Sequence, residues 1–441
     1  MAETKIIALD DDPTGSQTVH SCLLLTRWDV PTLQQALLDD SPLFFVLTNT
    51  RAMDAARAAQ VTREVCVNLR QALDVLADQG RPINPILVSR SDSTLRGHYP
   101  VETDVIAEEL GPFDAHFLVP AFFEGGRFTR DSTHYLVVDG EPVSVDKTEF
   151  ARDSVFGFST AYLPDYVEEK TRGRIKADAV ERFGLEDVRG DSQARLMDLH
   201  DNACCVVDAE TQADLDHFAH QLTAAATHGK RFLFRSAASL LTALAGLPPQ
   251  PVAAQDMFRY VRDGRAGAVI VGSHVKKTTA QLDQLLKLST VEPIEIDVER
   301  IPARREQLLK ETINRAEHAH AAGRHAVIFT SRMEKTFPDQ QQRLSFGEQV
   351  SAFLMDVVQH LPGTLGFLIS KGGITSNDVL STGLALRTSR VLGQILPGCS
   401  VVRCPDDHPR YPQMPVVIFP GNVGDDQALA TALKRLTKIG G

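Results

Sequence analysis

Short apolar runs bounded by turn residues alternate along this chain with longer stretches in which apolar residues return every three or four positions. The short runs predict buried strands, and the longer spacing, as in Val61, Val65 and Leu69, predicts helices. In the first half we expect helices at 31–39 and 54–79 and a hairpin at 135–145. The strands expected there are 5–9, 43–48, 85–89, 116–120, 203–207 and 231–234.

The alternation resumes in the second half, after a proline-rich stretch. Residues 246–252 read Gly-Leu-Pro-Pro-Gln-Pro-Val, which continues neither a helix nor a paired strand. It predicts a linker between a domain at 1–245 and a domain at 253–441. We expect second-domain helices at 303–322 and 346–360 and strands at 268–271, 293–297, 325–329, 364–369 and 415–419. The expected fold class is α/β: two domains with mostly parallel sheets and an active-site cleft between them.

Composition narrows the class of protein. A chain of 441 residues is long for one core, which agrees with two domains. The net charge of −11 argues against nucleic-acid or anionic-membrane binding, and no apolar run is long enough to span a bilayer. Residues 1–5 show no signal peptide, and the six cysteines lack zinc-ligand spacing. We expect a cytoplasmic protein without a structural metal.

Polar side chains follow the first four predicted strands. Three carboxylates, Asp10 to Asp12, precede a Pro-Thr-Gly turn, and arginines occur after each of the next three strands, at Arg51, Arg90, Arg96 and Arg127. Because the carboxyl ends of parallel strands share one sheet edge, these arginines can converge on a small anion with hydroxyls. The alternatives are surface ion pairs for single arginines and a solvated, Asp-capped turn for the carboxylates.

Glycine-rich loops follow three predicted strands of the second half. They begin at Gly272-Ser273, at Lys371-Gly372-Gly373 and at Gly421-Asn422, and each leads toward a predicted helix. Glycine lets the backbone approach a phosphate, and helix N-termini supply free N–H groups. Walker A and Rossmann fingerprints are absent, so the loops predict phosphate binding of another kind, with plain turns as the alternative.

The joint pattern resembles the four-carbon acid sugar kinase family. The matching stretches run in the expected order over nearly the whole chain: Asp11-Asp12-Pro13-Thr14-Gly15, Asp92-Ser93-Thr94-Leu95-Arg96-Gly97, Gly126-Arg127-Phe128-Thr129, Gly272-Ser273, Gly372-Gly373-Ile374-Thr375 and Pro420-Gly421-Asn422-Val423-Gly424. The resemblance implies an N-terminal sugar-acid-binding domain, a C-terminal nucleotide-binding domain, and ATP-dependent phosphorylation of a terminal hydroxyl on a four-carbon acid such as threonate or erythronate.

The resemblance also implies residue roles. Substrate would be bound by Asp10, Asp11, Thr14, Gly15, Arg51, Arg90, Asp92, Ser93, Thr94, Arg96 and Gly97, with Arg127 nearby. ATP would be bound by Ser273, Gly372, Gly373, Ile374, Thr375, Gly421 and Asn422. Three positions depart from the family's usual pattern. Arg90 replaces a lysine, Lys371 and Ile374 replace a serine and an acidic residue, and Phe419-Pro420 replace Lys-Ser.

The sequence therefore predicts an ATP-dependent sugar-acid kinase that uses Mg²⁺. Asp11 or Asp92 would orient or deprotonate the attacking hydroxyl, arginines would hold the substrate carboxylate, and Lys371 would neutralise charge on the phosphates. The expected partners are a small sugar acid and a second copy of the chain in a homodimer, with neither nucleic acid nor membrane. The alternatives are a ligase that forms an acyl phosphate and a sensor of sugar acid or nucleotide without turnover.

Overall fold

The computed structural model describes residues 3–332 and 340–437. They form two compact units, Met1–Pro249 and Gln250–Gly441, which we call unit 1 and unit 2. The hydrophobic core clusters that contain Leu9 and Leu118 lie in unit 1, and the cluster that contains Val269 lies in unit 2.

Unit 1 is built on an eight-stranded parallel sheet in the order β2-β3-β1-β4-β11-β5-β10-β9. These strands are β1 (Glu3–Asp10), β2 (Leu23–Leu25), β3 (Leu43–Leu47), β4 (Ile83–Arg90), β5 (Ala115–Val119), β9 (Glu181–Phe183), β10 (Ala203–Val207) and β11 (Phe232–Ser236). The helices are α1 (Val30–Leu37), α2 (Ala55–Asp78), α3 (Val101–Leu110), α4 (Leu163–Lys170), α5 (Leu185–Arg189), α6 (Gln193–Asp198), α7 (Gln212–Thr227) and α8 (Ala238–Ala245).

The longest helix of unit 1, α2, illustrates how local sequence sets these elements. The Asp54 side chain caps its first turn by accepting from the amide of Arg57 at 2.8 Å. Val61, Val65 and Leu69 recur on one face and are buried, as the spacing predicts.

A separate antiparallel sheet is formed by β6 (Arg127–Arg130), β7 (Thr133–Val138) and β8 (Glu141–Ser144). The predicted hairpin is confirmed by β7 and β8. Its turn residues Asp139 and Gly140 have φ values of 52° and 86°, the left-handed pair that suits a tight two-residue hairpin. The pairing of β6 with this hairpin was not predicted.

Unit 2 has a seven-stranded sheet in the order β13-β14-β12-β15-β18-β17-β16, in which β17 runs antiparallel to both of its neighbours, β18 and β16. The strands are β12 (Ala268–Val271), β13 (Val291–Ile296), β14 (His325–Thr330), β15 (Leu368–Lys371), β16 (Thr388–Leu396), β17 (Cys399–Arg403) and β18 (Pro415–Phe419). The helices are α9 (Lys276–Leu285), α10 (Ile301–Ala321), α11 (Gln340–His360), α12 (Gly373–Asp378) and α13 (Ala428–Thr437).

The prediction of an α/β fold with mostly parallel sheets is confirmed. Two details are wrong. The strand expected at 364–369 is Leu368–Lys371, so Lys371 ends the strand instead of following it, and strands β2, β16 and β17 were not predicted. Among the described residues, no helix is both long and apolar enough to cross a bilayer.

Candidate functional site

The polar loops of unit 1 meet at the point where the strand order of the sheet reverses. From β1 the chain builds β2 and β3 on one side and then crosses to β4 on the other. Asp10 ends β1 and Arg90 ends β4, and the two residues are register partners in the sheet. Ligands of open α/β sheets bind beyond the carboxyl ends of the strands at this kind of reversal.

A buried layer of charged side chains lies at this point. Arg90 Nη1 is 3.2 Å from Asp10 Oδ1 and 3.7 Å from Asp11 Oδ1, and the side chains of the three residues are at most 4% exposed. Beside them, Arg235 Nη1 donates to Glu102 Oε2 and to Ser89 Oγ. Each buried charge therefore has a partner of opposite sign, without which its burial would be costly.

A second, partly exposed layer covers the first. Arg51 donates to Asp11 through Nε and Nη2, and its Nη1 lies 3.5 Å from both Asp12 Oδ2 and Asp92 Oδ1. Arg96 forms a two-pronged contact with Asp92, from Nε to Oδ2 at 2.9 Å and from Nη2 to Oδ1 at 3.3 Å. The side chains of Asp12, Arg51, Asp92 and Arg96 are 12–26% exposed, so this layer is the one that a ligand reaches.

Burial and charge separate the four aspartates. Burial raises the pKa of Asp10 to about 7 against the opposing effect of Arg90, and burial also raises the pKa of Asp11. Burial acts in the same direction on Asp12 and Asp92. At Asp12 the effect of burial is outweighed by Arg51 and Thr14, and at Asp92 it is outweighed by Arg51 and Arg96. Both pKa values therefore lie below their usual range. The outer carboxylates are therefore ionised at neutral pH.

The backbone turns hold these carboxylates in place. The amides of Thr14 and Thr94 donate to Asp12 Oδ1 at 2.8 Å and to Asp92 Oδ2 at 3.2 Å. A Cβ on Gly15 would lie 2.0 Å from Asp10 Oδ2, so only glycine lets this turn lie against the Asp10 carboxyl.

Arg127 is close to this cluster but differs from the other predicted arginines. Its Nη1 donates to the carbonyl of Gly125 at 2.6 Å, and its buried Nε has no partner in the described part of the chain. Burial lowers its pKa, and Asp92 and Arg96 influence it by charge. Within residues 3–332 and 340–437 it forms no ion pair, whereas Arg51, Arg90 and Arg96 do.

The structure thus brings together the predicted residues of the turn at Asp10–Gly15, the Arg51 loop and the Arg90–Gly97 loop. Ser93 takes part through its backbone carbonyl, which contacts His134 Nε2 at 2.8 Å. Glu102 and Arg235 were not predicted as site residues, and Asp12 was not singled out among the three carboxylates. For Arg235 a signal existed, because Arg235-Ser236 follow the apolar run 232–234 much as Ser89-Arg90-Ser91 follow the apolar run 86–88. Glu102 lies in the first turn of α3 and carried no such signal.

In unit 2 the glycine loops meet at an equivalent reversal. From β12 the chain builds β13 and β14 on one side and then crosses to β15 on the other. A Cβ on Gly272 would lie 2.5 Å from Thr375 Oγ1, and one on Gly372 would lie 3.1 Å from Ser273 Cβ. Gly421 is close as well, since its Cβ would be 3.8 Å from Ser273 Oγ. The predicted loops therefore form one glycine-lined hollow.

The other predicted nucleotide residues border this hollow. Gly373 and Ile374 open α12, where the Ile374 side chain is exposed, and Asn422 is exposed in the last loop. Arg332 was missed. It follows β14 and donates to the carbonyl of Ser273 at 2.6 Å and to Thr330 Oγ1 at 2.7 Å. The arrangement of N–H groups, hydroxyls and a cation suits phosphate.

The hollow suits phosphate groups better than it suits a bare metal ion. Its glycines leave backbone N–H groups uncovered by side chains, and phosphate oxygens accept from such groups. Among the described residues, no group of three or more His, Cys, Asp or Glu side chains is arranged to hold a metal. Mg²⁺ commonly binds through phosphates, water and one or two carboxylates, which such a site permits.

Comparison with known proteins gives matches over both units. Residues 6–244 match the family model of a sugar-binding N-terminal domain, and residues 268–429 match that of a nucleotide-binding C-terminal domain. A curated relative, the D-erythronate kinase of Heliobacterium modesticaldum, is 26% identical over 231 residues. The match covers 49% of this chain and 48% of the relative, so the chain spans about half the relative's length.

Solved structures share the fold over nearly the whole chain. A crystal structure from Salmonella typhimurium LT2 has a TM-score of 0.69 at 17% identity and covers 97% of this chain and 98% of its own. A Haemophilus influenzae protein has a TM-score of 0.62 at 18% identity, with coverage of 98% and 100%. At these identities the likeness concerns the fold.

Proposed function

The chain belongs to the four-carbon acid sugar kinase family, and on that basis we propose that it transfers the γ-phosphoryl group of ATP to a hydroxyl of a sugar acid. The acceptor we propose is the terminal hydroxyl of a four-carbon acid of the threonate or erythronate type. The observation that carries the proposal is that each unit has a site of a different kind, and that each site lies where the strand order of the sheet reverses. One is a carboxylate and guanidinium cluster in unit 1, and the other is a glycine-lined hollow in unit 2.

The cluster in unit 1 has the groups that a small sugar acid needs. The ionised carboxylates of Asp12 and Asp92 accept hydrogen bonds from substrate hydroxyls. Arg127 has no carboxylate partner in the described chain, so its guanidinium is the one we assign to the substrate carboxylate. Arg51 and Arg96 instead hold the aspartates in place.

Phosphoryl transfer depends mainly on positioning and on charge stabilisation. We assign the triphosphate to the Ser273, Gly372 and Gly421 loops, and Arg332 supplies positive charge beside Ser273. Mg²⁺ bound with the nucleotide would neutralise charge on the phosphates. The site residues, the domain limits and the cleft between the domains stay predictions.

Asp92 is the residue that we assign to the attacking hydroxyl. Its side chain is 12% exposed, whereas that of Asp11 is 1% exposed and bonded to Arg51. Asp92 is ionised at neutral pH and can accept the hydroxyl proton, although its lowered pKa makes orientation of the hydroxyl its larger contribution.

The test is ADP release by the purified full chain with MgATP and a panel of four-carbon acids, both stereoisomers of each. We expect turnover with one or a few of them and none with the corresponding sugars that lack the carboxylate. Trapping by hydroxylamine would reveal an acyl phosphate and replace the kinase with a ligase. Binding of acid and nucleotide without ADP release would instead indicate a sensor.

A further inference from the structure

The amine of Lys371 is held inside unit 2 by the backbone of the loop that follows β18. Its Nζ donates to the carbonyl of Pro420 at 2.6 Å and to that of Gly421 at 3.1 Å, and it lies 4.2 Å from the centre of the Phe419 ring. The residue is 0% exposed. The amine therefore has no open path to a ligand, contrary to the sequence-based expectation that it neutralises phosphate charge directly.

Side chains of α9 also donate hydrogen bonds to backbone carbonyls of this loop. Thr278 Oγ1 donates to the carbonyl of Gly421 at 3.3 Å. The buried Gln281 donates through Nε2 to the carbonyls of Val423 and Asp425, at 2.9 and 2.7 Å. Four carbonyls of the loop are thus turned toward the body of unit 2.

This orientation decides where the amides point. In a trans peptide the N–H lies opposite the C=O of the same unit, and the cis peptides of the described chain are elsewhere, at Tyr99-Pro100 and Gly111-Pro112. The N–H groups of Gly421 and Asn422 therefore point away from Lys371, and they find no acceptor in residues 3–332 and 340–437. Successive free N–H groups beside glycine form a concave binding site for anions.

We propose that Lys371 is a positioning residue for nucleotide binding: it holds the Pro420 and Gly421 carbonyls so that the Gly421 and Asn422 amides face the phosphates. The inference rests on the proposed nucleotide site in unit 2. It gives a physical reason for a lysine at a position where the family usually has serine. A serine side chain is too short to bridge from the end of β15 to two carbonyls of the neighbouring loop.

A pH effect follows from the burial of the amine. Burial lowers the pKa of Lys371 to about 7, and the charged or titratable groups that influence it are the Cys399 thiol and Lys277. A bound phosphate chain favours the protonated form of the amine, so Lys371 takes up a proton when the nucleotide binds. Nucleotide affinity should therefore be highest below pH 7 and fall as the pH rises above it.

The experiment is calorimetric titration of the full chain with MgADP from pH 6 to pH 9, on wild type and on Lys371→Met. Methionine keeps the apolar stem over Phe419 and removes the donors. We expect the dissociation constant of Lys371→Met to be about tenfold to a hundredfold higher at pH 6.5 and nearly constant with pH. Lys287→Met, the same change at an exposed residue just beyond the end of α9, is the matched control and should bind as wild type.

A second variant covers a failure of Lys371→Met to fold. Thr278→Val keeps the size of the side chain and removes the other donor to Gly421, together with the contact of the same hydroxyl with Ser273 Oγ at 3.3 Å. We expect about a twofold to fivefold weaker affinity. Wild type that binds no MgADP would overturn the proposed nucleotide site itself. If wild type binds MgADP, an unchanged affinity and pH profile in Lys371→Met would overturn only the role of Lys371. Where that variant does not fold, an unchanged affinity in Thr278→Val would overturn the positioning of the loop carbonyls on which that role depends.

Discussion

At the scale of single residues, solvent access separates the two aspartates that could serve the attacking hydroxyl. We expect Asp92→Asn to lower kcat about 10²- to 10⁴-fold with little change in the affinity for MgADP, because the amide keeps the shape and loses the charge. Asp11→Asn should instead lower the free energy of unfolding by about 3 kcal/mol, since it leaves Arg51 with less compensation. Steady-state kinetics and urea unfolding of both variants separate the roles. The assignment is wrong if Asp92→Asn keeps wild-type kcat.

Arg127 offers a second test at this scale. Arg127→Met should raise the KM for the acid about tenfold to a hundredfold, because a charge-assisted contact to the substrate carboxylate contributes about 1.5–3 kcal/mol. The control is Arg130→Met on the same strand, whose guanidinium contacts Glu210 at the surface. Equal KM values for the two variants would place the substrate carboxylate elsewhere.

Asp10 should make stability depend on pH. Its pKa is about 7 in the fold and near 3.8 when unfolded, so the folded state binds more protons between these values. The stability that the protonated form contributes is complete below pH 4 and is lost as the pH rises to 7, by about 1.4 kcal/mol per pH unit. We expect the stability of Asp10→Asn, which is neutral throughout, to rise relative to that of wild type as the pH increases across this window. The free energy of unfolding of both proteins is measured with urea at each pH. If it changes with pH by the same amount in wild type and in Asp10→Asn, Asp10 stays ionised in the fold.

At the scale of elements, the loop after β4 depends on Gly97. Its φ is +113°, and a Cβ there would lie 2.6 Å from Arg235 Nη2 and 3.0 Å from Asp11 Oδ2. Gly97→Ala should therefore displace the buried charges and reduce both stability and affinity for the acid. Gly80→Ala is the control, because Gly80 also has a positive φ, +76°, but has nothing near its Cβ position.

The control measures the cost of placing alanine at a positive φ without a contact at Cβ, which is about 1–2 kcal/mol in the left-handed region. We expect Gly97→Ala to lose at least 2 kcal/mol more than Gly80→Ala in urea unfolding. Losses of the same size would show that Arg235 and Asp11 adjust without difficulty.

At the scale of the whole molecule, each unit has its own core clusters. We expect a fragment of residues 251–441 to fold and to bind MgADP with an affinity within about tenfold of the full chain. Circular dichroism checks the folding and calorimetry the binding. A folded fragment without affinity would mean that residues of unit 1 contribute to nucleotide binding.

The sequence by itself determined the elements and the places where polar loops occur. Apolar runs and helical spacing depend on near neighbours in the chain, so β1, β4 and α2 were predicted within a few residues. The motifs that carry the family resemblance also read directly from the chain, because each is a short contiguous stretch such as Asp92 to Gly97.

Tertiary structure alone decided which charges meet. The Glu102–Arg235 pair joins residues 133 positions apart, and the spacing of neither residue indicates the other. It also decided that Asp11 is covered while Asp92 is not, and that Lys371 faces a backbone loop instead of a ligand. Burial and long-range pairing depend on how strands align across the sheet, and local sequence patterns carry no record of that alignment.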